Sequence, residues 1–499
     1  MLTAFDSLLE NLDGGDMLVE DGLRERPVIA KTPLVVDLDG TLIRSDLLIE
    51  TLFGAIGRDF RSIFPMLRAI PHGKAAVKHY LANAMELDAA NLPYDADVLR
   101  LIGAARDEGR PVYLASGASA RLVSAVANHV GLFTGWFASC DRSNLIGPAK
   151  AARLIEEFGE GGFDYVGNEA ADIPIWRCAN QAIGIRVPGS VTARMARSGT
   201  PLRTIGTGDS KAKAWIRQLR VHQYAKNGLV FVPLITSGLI SAQAILLSII
   251  AFVAFSMMAS SIYIINDLVD LAADRRHPSK SRRPLAAGVL PIKQALAVSN
   301  LLAMGAIGLA ALASPAFLAV LVAYAVLTTS YSFVLKRKFL IDVLALSMLY
   351  TIRVVGGSVA TGIALSEWLG AFSMMVFTCL ALTKRYTELA MRMDSQLPEA
   401  DNRNYRTSDM GMIMSMAVAA AYVSVTVFAL YLASPDVHAA YRHPLFLWAI
   451  CPTLLYWLGR MLMLAHRRFM HDDPVVFALR DRTSAITLGL VLVIMVSAR

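Results

Sequence analysis

The chain changes from a mixed polar and apolar pattern to long uncharged stretches at about residue 227. From Met1 to about Arg220 charged residues are frequent, and no uncharged run reaches the roughly 20 apolar residues that a membrane-spanning helix needs. By contrast, no Asp, Glu, Lys or Arg occurs between Gly228 and Ile265 or between Gln294 and Leu335. The pattern therefore predicts a soluble N-terminal part followed by a membrane domain.

The uncharged stretches predict nine membrane-spanning helices. Each of the two longest runs has room for two helices, with turn signals near Thr236–Ser241 and at Ser314-Pro315. Five further apolar segments follow at about residues 340–363, 367–384, 410–433, 443–464 and 482–498. We therefore expect an all-helical bundle of nine spans.

The basic residues between the spans predict how the chain crosses the membrane, because cytoplasmic loops carry an excess of Lys and Arg. The loops after spans two, four, six and eight are basic, whereas those after the odd-numbered spans are short and nearly uncharged. We expect a multi-pass protein of the cell (inner) membrane, with the N-terminal part cytoplasmic, no cleavable signal peptide and the C-terminus outside. The basic residues are Arg275, Arg276, Lys280, Arg282, Arg283, Lys336, Arg337, Lys338, Lys384, Arg385, Arg392, Arg403, Arg406, Arg467, Arg468 and Arg480.

The composition is an average over these two parts. Of the 499 residues, 55% are hydrophobic and 18% are charged, against roughly 45–50% and about 25% in soluble globular proteins. The formal net charge of +8 fits a basic cytoplasmic rim, so no nucleic-acid partner is expected. The cysteines lack CxxC spacing, which argues against a disulfide framework or a thiolate metal site. They are Cys140, Cys178, Cys379 and Cys451.

Short apolar strands in the N-terminal part are followed by polar residues. The first strand, within KTPLVVDLDGTL (Lys31–Leu42), ends in two acids two residues apart, Asp37 and Asp39. Alternate acids at a strand end can present one carboxylate to a phosphate and another to its leaving group, near a Mg²⁺ ion, which prefers oxygen ligands. Further candidates follow the strands Val112–Ala115 and Asp164–Val166 or begin a helix between them: Ser116, Gly117, Lys150, Gly167, Asn168 and Asp172.

These motifs resemble those of the haloacid dehalogenase superfamily of phosphatases and phosphotransferases, over roughly residues 30 to 190. The resemblance implies an α/β Rossmann-like domain at residues 1–200, with a small helical cap at about 46–105. The family usually has an aspartate where this chain has Asn168. The implied roles are nucleophile for Asp37, general acid/base for Asp39, phosphate binding for Ser116, charge compensation for Lys150, and Mg²⁺ ligation for Asp37, Asp39 and Asp172.

The most informative stretch of the second part is NDLVDLAADRRHPSKSRRPLAAG, which runs from Asn266 to Gly288 at the end of the second span. On a continuous helix Asp267, Asp270 and Asp274 are three and four residues apart and line one stripe beside Asn266. Such carboxylates repel one another near a membrane, and a Mg²⁺ ion that bridges substrate phosphates would relieve the repulsion. Groups suited to a bound diphosphate follow at His277, Lys280, Arg282 and Arg283.

This stretch resembles the first aspartate-rich motif of the UbiA superfamily of intramembrane prenyltransferases, over about residues 212 to 499. The resemblance implies a nine-helix fold with a cytoplasm-facing Mg²⁺-diphosphate site, in which Asp267 and Asp270 act with Asp274. We place a linker and interfacial helix at 201–220 and the membrane domain at 221–499. Two further stretches, LRVHQYAKN and YSFVLKRKFLID, also resemble the family. Together with the first motif they imply substrate contacts by Gln223, Lys226, Asn227, Asn266, Lys280, Arg283, Tyr331, Ser332, Lys336 and Asp342.

The loop after the sixth span departs from the aromatic prenyltransferases of that superfamily, which carry a second aspartate-rich motif there. The corresponding segment, LALTKRYTELAMR, places Lys384 and Arg385 where acids would stand and keeps only Glu388 acidic. Together with the form of the first motif, this resembles the decaprenyl-phosphate phosphoribosyltransferase branch. The resemblance implies phosphoribosyl diphosphate as donor, a polyprenyl phosphate as acceptor, and a homo-oligomer such as a trimer.

Charged residues at two places within or beside the spans, Arg353 and the pair Asp472 and Asp473, have two interpretations each. Arg353 lies in an otherwise uncharged span, about three turns after Asp342 on the same helix face. It is a functional anion-binding group or part of a structural link to Asp342. Asp472 and Asp473 either help to close the site or cap a helix that Pro474 opens.

The combined hypothesis is a two-step enzyme. The membrane domain would transfer 5-phosphoribosyl to the lipid phosphate, and the N-terminal domain would remove the 5-phosphate, giving a precursor of arabinose donors for the cell wall. One alternative is a polyprenyl diphosphate-dependent aromatic prenyltransferase. Another is a membrane scaffold or lipid carrier with an inactive phosphatase-like domain.

Overall fold

The computed structural model of the chain describes residues 31–59, 62–69, 71, 80–81, 87–139, 144–206, 211–238, 240–396, 404–434, 437, 441–470 and 473–498. Cys140, Asp472 and parts of the predicted cap lie outside these residues. The chain divides into two compact units. The first contains Met1–Gln218 with Asp267–Leu296, and the second contains Leu219–Asn266 with Ala297–Arg499. The domain boundaries expected near residues 200 and 220 stay predictions.

The first unit is built on a parallel six-stranded sheet in the order β3-β2-β1-β4-β5-β6. This is the order of doubly wound α/β proteins, whose sites lie at the carboxyl ends of the strands where the order reverses. Strand β1 occupies that central place, between β2 and β4. The predicted α/β Rossmann-like class is confirmed. The strands are β1 (Leu34–Asp37), β2 (Val112–Ser119), β3 (Gly135–Ser139), β4 (Asp164–Gly167), β5 (Gln181–Ile185) and β6 (Leu202–Ile205).

Apolar side chains cover both faces of this sheet, which explains why its central strands read as short hydrophobic runs. Successive residues of a strand point to opposite faces, so Leu34 and Val36 lie in one buried cluster and Val35 in the other. The helices of the chain up to Gln218 are Leu47–Arg58, Ile63–Ala69, Ala96–Asp107, Ala120–Val130, Pro148–Phe158, Ile173–Cys178, Gly189–Arg197 and Lys211–Gln218, with 3₁₀ turns at Ala89–Asn91 and Ala170–Asp172.

The segment 267–296 is an integral part of the first unit. It contains the short helix Leu271–Arg276, in which Arg275 donates two hydrogen bonds to the Glu50 carboxylate, at 2.8 and 2.6 Å. Both side chains are buried. Because breaking a buried ion pair leaves an uncompensated charge, this contact fixes the segment against the helix that follows β1.

The second unit is helical, and the structure describes six helices long and apolar enough to cross a membrane. They are Ala242–Val269, Ile292–Ala313, Pro315–Phe333, Ile341–Thr361, Thr407–Leu432 and Pro444–His466. The fifth consists of the 3₁₀ turn Thr407–Asp409 and the helix Met410–Leu432. The sixth consists of the helices Pro444–Leu447 and Ile450–His466. The other elements are the 3₁₀ helices Val221–Phe231 and Leu335–Arg337 and the helices Val232–Ser237, Glu367–Asp394, Pro474–Arg480 and Arg482–Ser497.

The predicted helical membrane domain is confirmed, whereas the count of nine spans is not. Three of the expected spans correspond to helices with other properties. Val232–Ser237 has only six residues, and Arg482–Ser497 has sixteen. Glu367–Asp394 carries five charged residues in its second half, Lys384, Arg385, Glu388, Arg392 and Asp394.

Candidate functional site

The predicted nucleophile of the first unit lies at the carboxyl end of β1 with a lysine against it. Asp37 Oδ1 accepts a hydrogen bond from Lys150 Nζ at 2.7 Å, and Asp37 Oδ2 accepts one from Thr41 Oγ1 at 3.1 Å. Both members of the ion pair are buried. Lys150 lies in the first turn of Pro148–Phe158 and reaches the end of β1 from there. Gly40, in the turn directly after Asp39, has a φ of +77°, a conformation that glycine adopts readily. The pairing holds the Asp37 carboxylate in one orientation.

The second acid of the motif has the properties of a proton donor and acceptor. Asp39 accepts hydrogen bonds from the Leu47 backbone N–H at 2.8 Å and from Ser116 Oγ at 3.3 Å. Burial, together with the nearby Asp46 carboxylate, raises the pKa of Asp39 to about 7. A carboxyl group with a pKa near neutrality can both give and take a proton during a reaction.

Asn168 stands beside Asp37, whereas Asp172 is engaged elsewhere. Thr41 Oγ1 contacts both Asp37 Oδ2 and Asn168 Oδ1, the latter at 3.3 Å. Asp172 Oδ2 accepts the backbone N–H groups of Asn168 and Glu169 at 2.9 and 3.0 Å. Its Oδ1 accepts the hydroxyl of Tyr165, and burial raises the pKa of Asp172 to about 6. Carboxylate and amide oxygens are ligands that Mg²⁺ accepts, so Asp37 and Asn168 fit such an ion.

Asp37, Asp39, Lys150 and Asp172 line a cavity of about 290 Å³ in the first unit. Its floor contains the strand-end residues, and its wall contains apolar side chains of neighbouring helices. One lining residue, Lys293, was absent from the sequence prediction, since nothing in its local sequence points to a cavity so far away along the chain. The charged residues of the lining are Asp37, Asp39, Asp46, Lys150, Glu169, Asp172 and Lys293.

The aspartate-rich segment does not form the continuous helical stripe that its spacing predicted. The helix Ala242–Val269 ends just before Asp270, which takes a non-helical conformation. Asp267 Oδ1 and Asp274 Oδ2 instead converge on one guanidinium nitrogen of Arg283, at 2.9 and 2.5 Å. The break relieves the repulsion that a single stripe of carboxylates would suffer, and Arg283 supplies the compensating charge.

The oxygens of Asp267 and Asp274 fit a divalent cation. The Arg283 nitrogen lies between two carboxylates, where it stands in for a metal ion with the same hard-oxygen preference. Gln218 Nε2 donates to the other oxygen of Asp267 at 2.8 Å. Burial raises the pKa of the Asp274 carboxyl against the effect of Arg283. In the part of the chain that the structure describes, no group of three or more His, Cys, Asp or Glu side chains is arranged to hold a metal ion.

A cluster of cations lies around one carboxylate in the second unit. Asp473 Oδ2 accepts hydrogen bonds from Lys226 Nζ and Lys384 Nζ, each at 2.9 Å. Tyr350 donates its hydroxyl to the same carboxylate at 3.2 Å. Burial alone would raise the pKa of Asp473, but the two ammonium groups outweigh it and hold that pKa far below its usual range. Asp473 also accepts the Val475 N–H at 3.1 Å, so it both caps the following helix and joins the cluster.

Arg353 is buried next to this cluster and has neutral partners. Its Nε donates to Asn227 Oδ1 at 2.8 Å and its Nη2 to the Tyr324 hydroxyl at 3.1 Å. The guanidinium carbon lies 4.8 Å from the centre of the Tyr324 ring. Lys226 and Lys384 thus share the carboxylate of Asp473, while Arg353 beside them is held by neutral groups, and this excess of positive charge suits an anionic ligand.

Asp342 pairs with Arg385, so the suggested link between Asp342 and Arg353 is wrong. Asp342 Oδ2 lies 2.6 Å from Arg385 Nε, and both side chains are buried. Tyr405 donates its hydroxyl to Asp342 Oδ1 at 2.5 Å. Arg385 also donates to Glu388 and to the Tyr331 hydroxyl. These contacts pair the two charges within the protein and connect the helices Ile341–Thr361 and Glu367–Asp394.

The remaining predicted contact residues are distributed over several elements. Gln223 Oε1 accepts the Tyr263 hydroxyl at 3.0 Å, and Asn266 Nδ2 donates to Ser332 Oγ at 2.9 Å. Both pairs join residues of the second unit. The other two predicted residues lie on 3₁₀ turns, where Lys280 is exposed and Lys336 is half-buried.

Removing the Asp342 carboxylate is expected to destabilise the second unit. In Asp342→Ala the buried Arg385 guanidinium loses its fully buried carboxylate partner and keeps Glu388, so we expect a cost of up to about 3–5 kcal/mol, the cost of breaking a buried ion pair. Thermal unfolding of the purified protein in detergent measures the effect. Replacing both residues by apolar ones, Asp342→Leu with Arg385→Met, should recover most of the loss, and equal stability of wild type and Asp342→Ala would contradict the pairing.

Comparison with known proteins identifies the family of the chain. The model of the UbiA prenyltransferase family matches residues 230–480, half of the chain. The chain belongs to the UbiA prenyltransferase family. It is an integral membrane protein, and the recognition of its UbiA motifs in the sequence is confirmed.

Curated relatives of this UbiA-family chain differ in how much of it they match. The uncharacterized protein y4nM of Sinorhizobium fredii is 39% identical over 91% of this chain and 88% of its own length. Nodulation protein NoeC of Azorhizobium caulinodans is 34% identical over 55% of this chain and 89% of its own length. Decaprenyl-phosphate phosphoribosyltransferase of Corynebacterium glutamicum is 37% identical over 36% of this chain and 56% of its own length. The match to that enzyme thus spans little more than half of it.

Among solved structures, a phospho-aspartyl intermediate analogue of phosphoserine phosphatase covers 36% of this chain and 94% of its own, at 16% identity and a TM-score of 0.25.

Proposed function

We propose that the membrane domain transfers 5-phosphoribosyl from phosphoribosyl diphosphate to a polyprenyl phosphate and releases diphosphate. The observation that carries this proposal is the pair Lys226 and Lys384 on the Asp473 carboxylate, with the buried Arg353 held beside them by Asn227. Both the 5-phosphate of the donor and the phosphate of the acceptor need cationic partners. Similarity to decaprenyl-phosphate phosphoribosyltransferase supports the same choice of substrates.

The reaction breaks the bond between the anomeric carbon of ribose and the diphosphate oxygen, which keeps the electron pair. An oxygen of the lipid phosphate then bonds to that carbon, and no general base is required because this oxygen is already anionic. Asp267 and Asp274, with Asp270, would hold Mg²⁺, which supplies positive charge to the leaving diphosphate. The lysines bind and orient phosphate groups, and this fixed electrostatic environment provides most of the rate enhancement.

A labelled-donor assay tests the proposed transfer. Purified protein in vesicles that contain a polyprenyl phosphate is incubated with labelled phosphoribosyl diphosphate, and the lipids are extracted. We expect the label in the lipid fraction. Unlabelled lipid, together with prenylation of an aromatic acceptor from polyprenyl diphosphate, would instead favour the aromatic prenyltransferase, and lipid binding without any turnover would favour a carrier.

For the N-terminal domain we propose a second function, hydrolysis of the 5-phosphate of the lipid product. It rests on Asp37 and Lys150 at the cavity floor and on Asp39 beside them. Asp37 attacks phosphorus while Asp39 protonates the departing O5 of ribose. Water, deprotonated by Asp39, then hydrolyses the aspartyl phosphate to inorganic phosphate and restores Asp37. Mg²⁺ held by Asp37 and Asn168, with Asp39 and Asp172 near, would neutralise phosphoryl charge.

The two proposed steps act on the same lipid. Transfer leaves a 5-phosphate on the ribose, and hydrolysis leaves a polyprenyl-phosphoryl-ribose, the chemical starting point for lipid-linked arabinose. We propose that both reactions occur on the cytoplasmic side of the cell membrane, in a homo-oligomer such as a trimer.

A further inference from the structure

Lys293 lies at the rim of the cavity that contains Asp37. Its Nζ is 3.1 Å from Asp46 Oδ2 and 3.6 Å from Glu169 Oε2, and these three residues line the cavity together. The Lys293 side chain is 59% exposed, so a ligand that enters the cavity can reach the ammonium group. Lys150, by contrast, is buried and hydrogen-bonded to Asp37. The cavity therefore has one lysine at its floor and another at its entrance.

Lys293 belongs to the first turn of Ile292–Ala313, a helix long and apolar enough to cross a membrane. A positive charge at a helix N-terminus opposes the helix dipole, so Lys293 does not stabilise its own helix electrostatically. Asp46 and Glu169 hold it in place instead. Because a residue in the first turn of a spanning helix is at the membrane surface, the entrance of the cavity is there too.

The two lysines of the cavity, one at its floor and one at its entrance, suit a ligand with two anionic groups. Five carboxylates share the lining with them. A phosphoryl group that reaches Asp37 lies next to Lys150, so the lysine at the cavity floor is occupied by that group. A second anionic group of the same molecule would then bind Lys293, whose ammonium group can leave Asp46 and Glu169 to pair with it.

We propose that Lys293 binds the phosphodiester of a membrane lipid whose sugar carries the phosphomonoester that Asp37 attacks. The proposal rests on the phosphatase function proposed above and names its substrate class, a lipid-linked sugar with a phosphodiester at one end and a phosphomonoester at the other. Lys293 is then a specificity-determining residue at the membrane surface, provided by the segment that also contains the aspartate-rich motif.

The first test compares soluble substrates that differ by one anionic group. Phosphate release by the full-length protein in detergent is measured with ribose 5-phosphate and with ribose 1,5-bisphosphate, for wild type, Lys293→Ala, Lys293→Arg and Lys211→Ala. Lys211, exposed on another helix, is the matched control. We expect Lys293→Ala to raise KM for the bisphosphate about tenfold, with kcat and the KM for ribose 5-phosphate unchanged and Lys293→Arg near wild type. An equal loss on both substrates, or none, overturns the proposal.

Equilibrium binding separates this proposal from the phosphatase function on which it rests. Calorimetry with ribose 1,5-bisphosphate is run on wild type and Lys293→Ala. If neither protein releases phosphate but the variant binds about tenfold more weakly, the phosphatase function fails and the role of Lys293 stands. If binding is the same in both, the role of Lys293 fails whatever the turnover.

A vesicle assay distinguishes a lipid from a soluble sugar bisphosphate. A short-chain prenyl phosphodiester of ribose 5-phosphate is presented in vesicles that also contain the protein. We expect it to be hydrolysed at lower concentration than free ribose 1,5-bisphosphate, and this advantage to be lost in Lys293→Ala. Hydrolysis of the free bisphosphate without hydrolysis of the vesicle-borne diester would show a soluble substrate and overturn the lipid assignment.

Discussion

Replacing Asp267 by asparagine is expected to lower phosphoribosyl transfer by about 1,000-fold. Asparagine keeps the size and the hydrogen-bonding oxygen of the side chain but removes the negative charge that would hold Mg²⁺ on the leaving diphosphate. Metal stabilisation of such a leaving group is worth several kcal/mol, and about 4 kcal/mol corresponds to three powers of ten in rate. The measurement is the initial rate of lipid labelling at saturating phosphoribosyl diphosphate over a series of Mg²⁺ concentrations.

A control for this variant is Gln218→Ala, which removes the hydrogen bond to Asp267 but leaves its charge. We expect it to lower the rate less than tenfold, because the carboxylate would act through its charge. Activity of Asp267→Asn within tenfold of wild type would show that this carboxylate does not hold the metal. An equal loss in both variants would instead indicate that only the orientation of the side chain matters.

The sheet and its site could be predicted from the sequence, because parallel strands place their carboxyl ends at one edge of the sheet. The predicted strand Leu34–Val36 is extended by one residue, Asp37, in the structure, and the strand predicted from Asp164 extends to Gly167. Each of these short apolar runs is followed by its polar residues without an intervening turn. Local pattern therefore placed Asp37 and Asn168 at the same sheet edge before any long-range contact was known.

The ion pairs of the membrane domain could not be predicted from the sequence in the same way. Spacing along one helix relates Asp342 to Arg353, and one interpretation of that relation was a structural link through neighbouring helices, but the partner of Asp342 is Arg385 on another helix. The prediction of a continuous helical stripe in the aspartate-rich segment was wrong for a related reason. Its spacing fits one helix through Asp274, whereas Arg283, beyond the helix break, gathers Asp267 and Asp274. Helical periodicity predicts neighbours on one face and gives no information about charges brought together by the fold.

Replacing Asp37 by asparagine is expected to abolish hydrolysis of the 5-phosphate while phosphoribosyl transfer continues. An amide oxygen is a much weaker nucleophile than a carboxylate, and loss of a nucleophile in comparable enzymes lowers kcat by roughly 10⁴-fold or more. The lipid product of this variant should therefore retain its 5-phosphate. Mass spectrometry of the extracted lipids measures the ratio of phosphorylated to dephosphorylated product in wild type and variant.

The transfer rate of the same variant serves as its folding control, because Asp37→Asn alters a buried ion pair with Lys150. Unchanged transfer with a fully phosphorylated product would assign hydrolysis to Asp37. Lys211→Ala is a second control, since Lys211 is exposed on another helix and does not line the cavity. If wild type itself accumulates the phosphorylated lipid, the N-terminal domain does not perform this hydrolysis, and its cavity must then act on a different phosphate ester or on none.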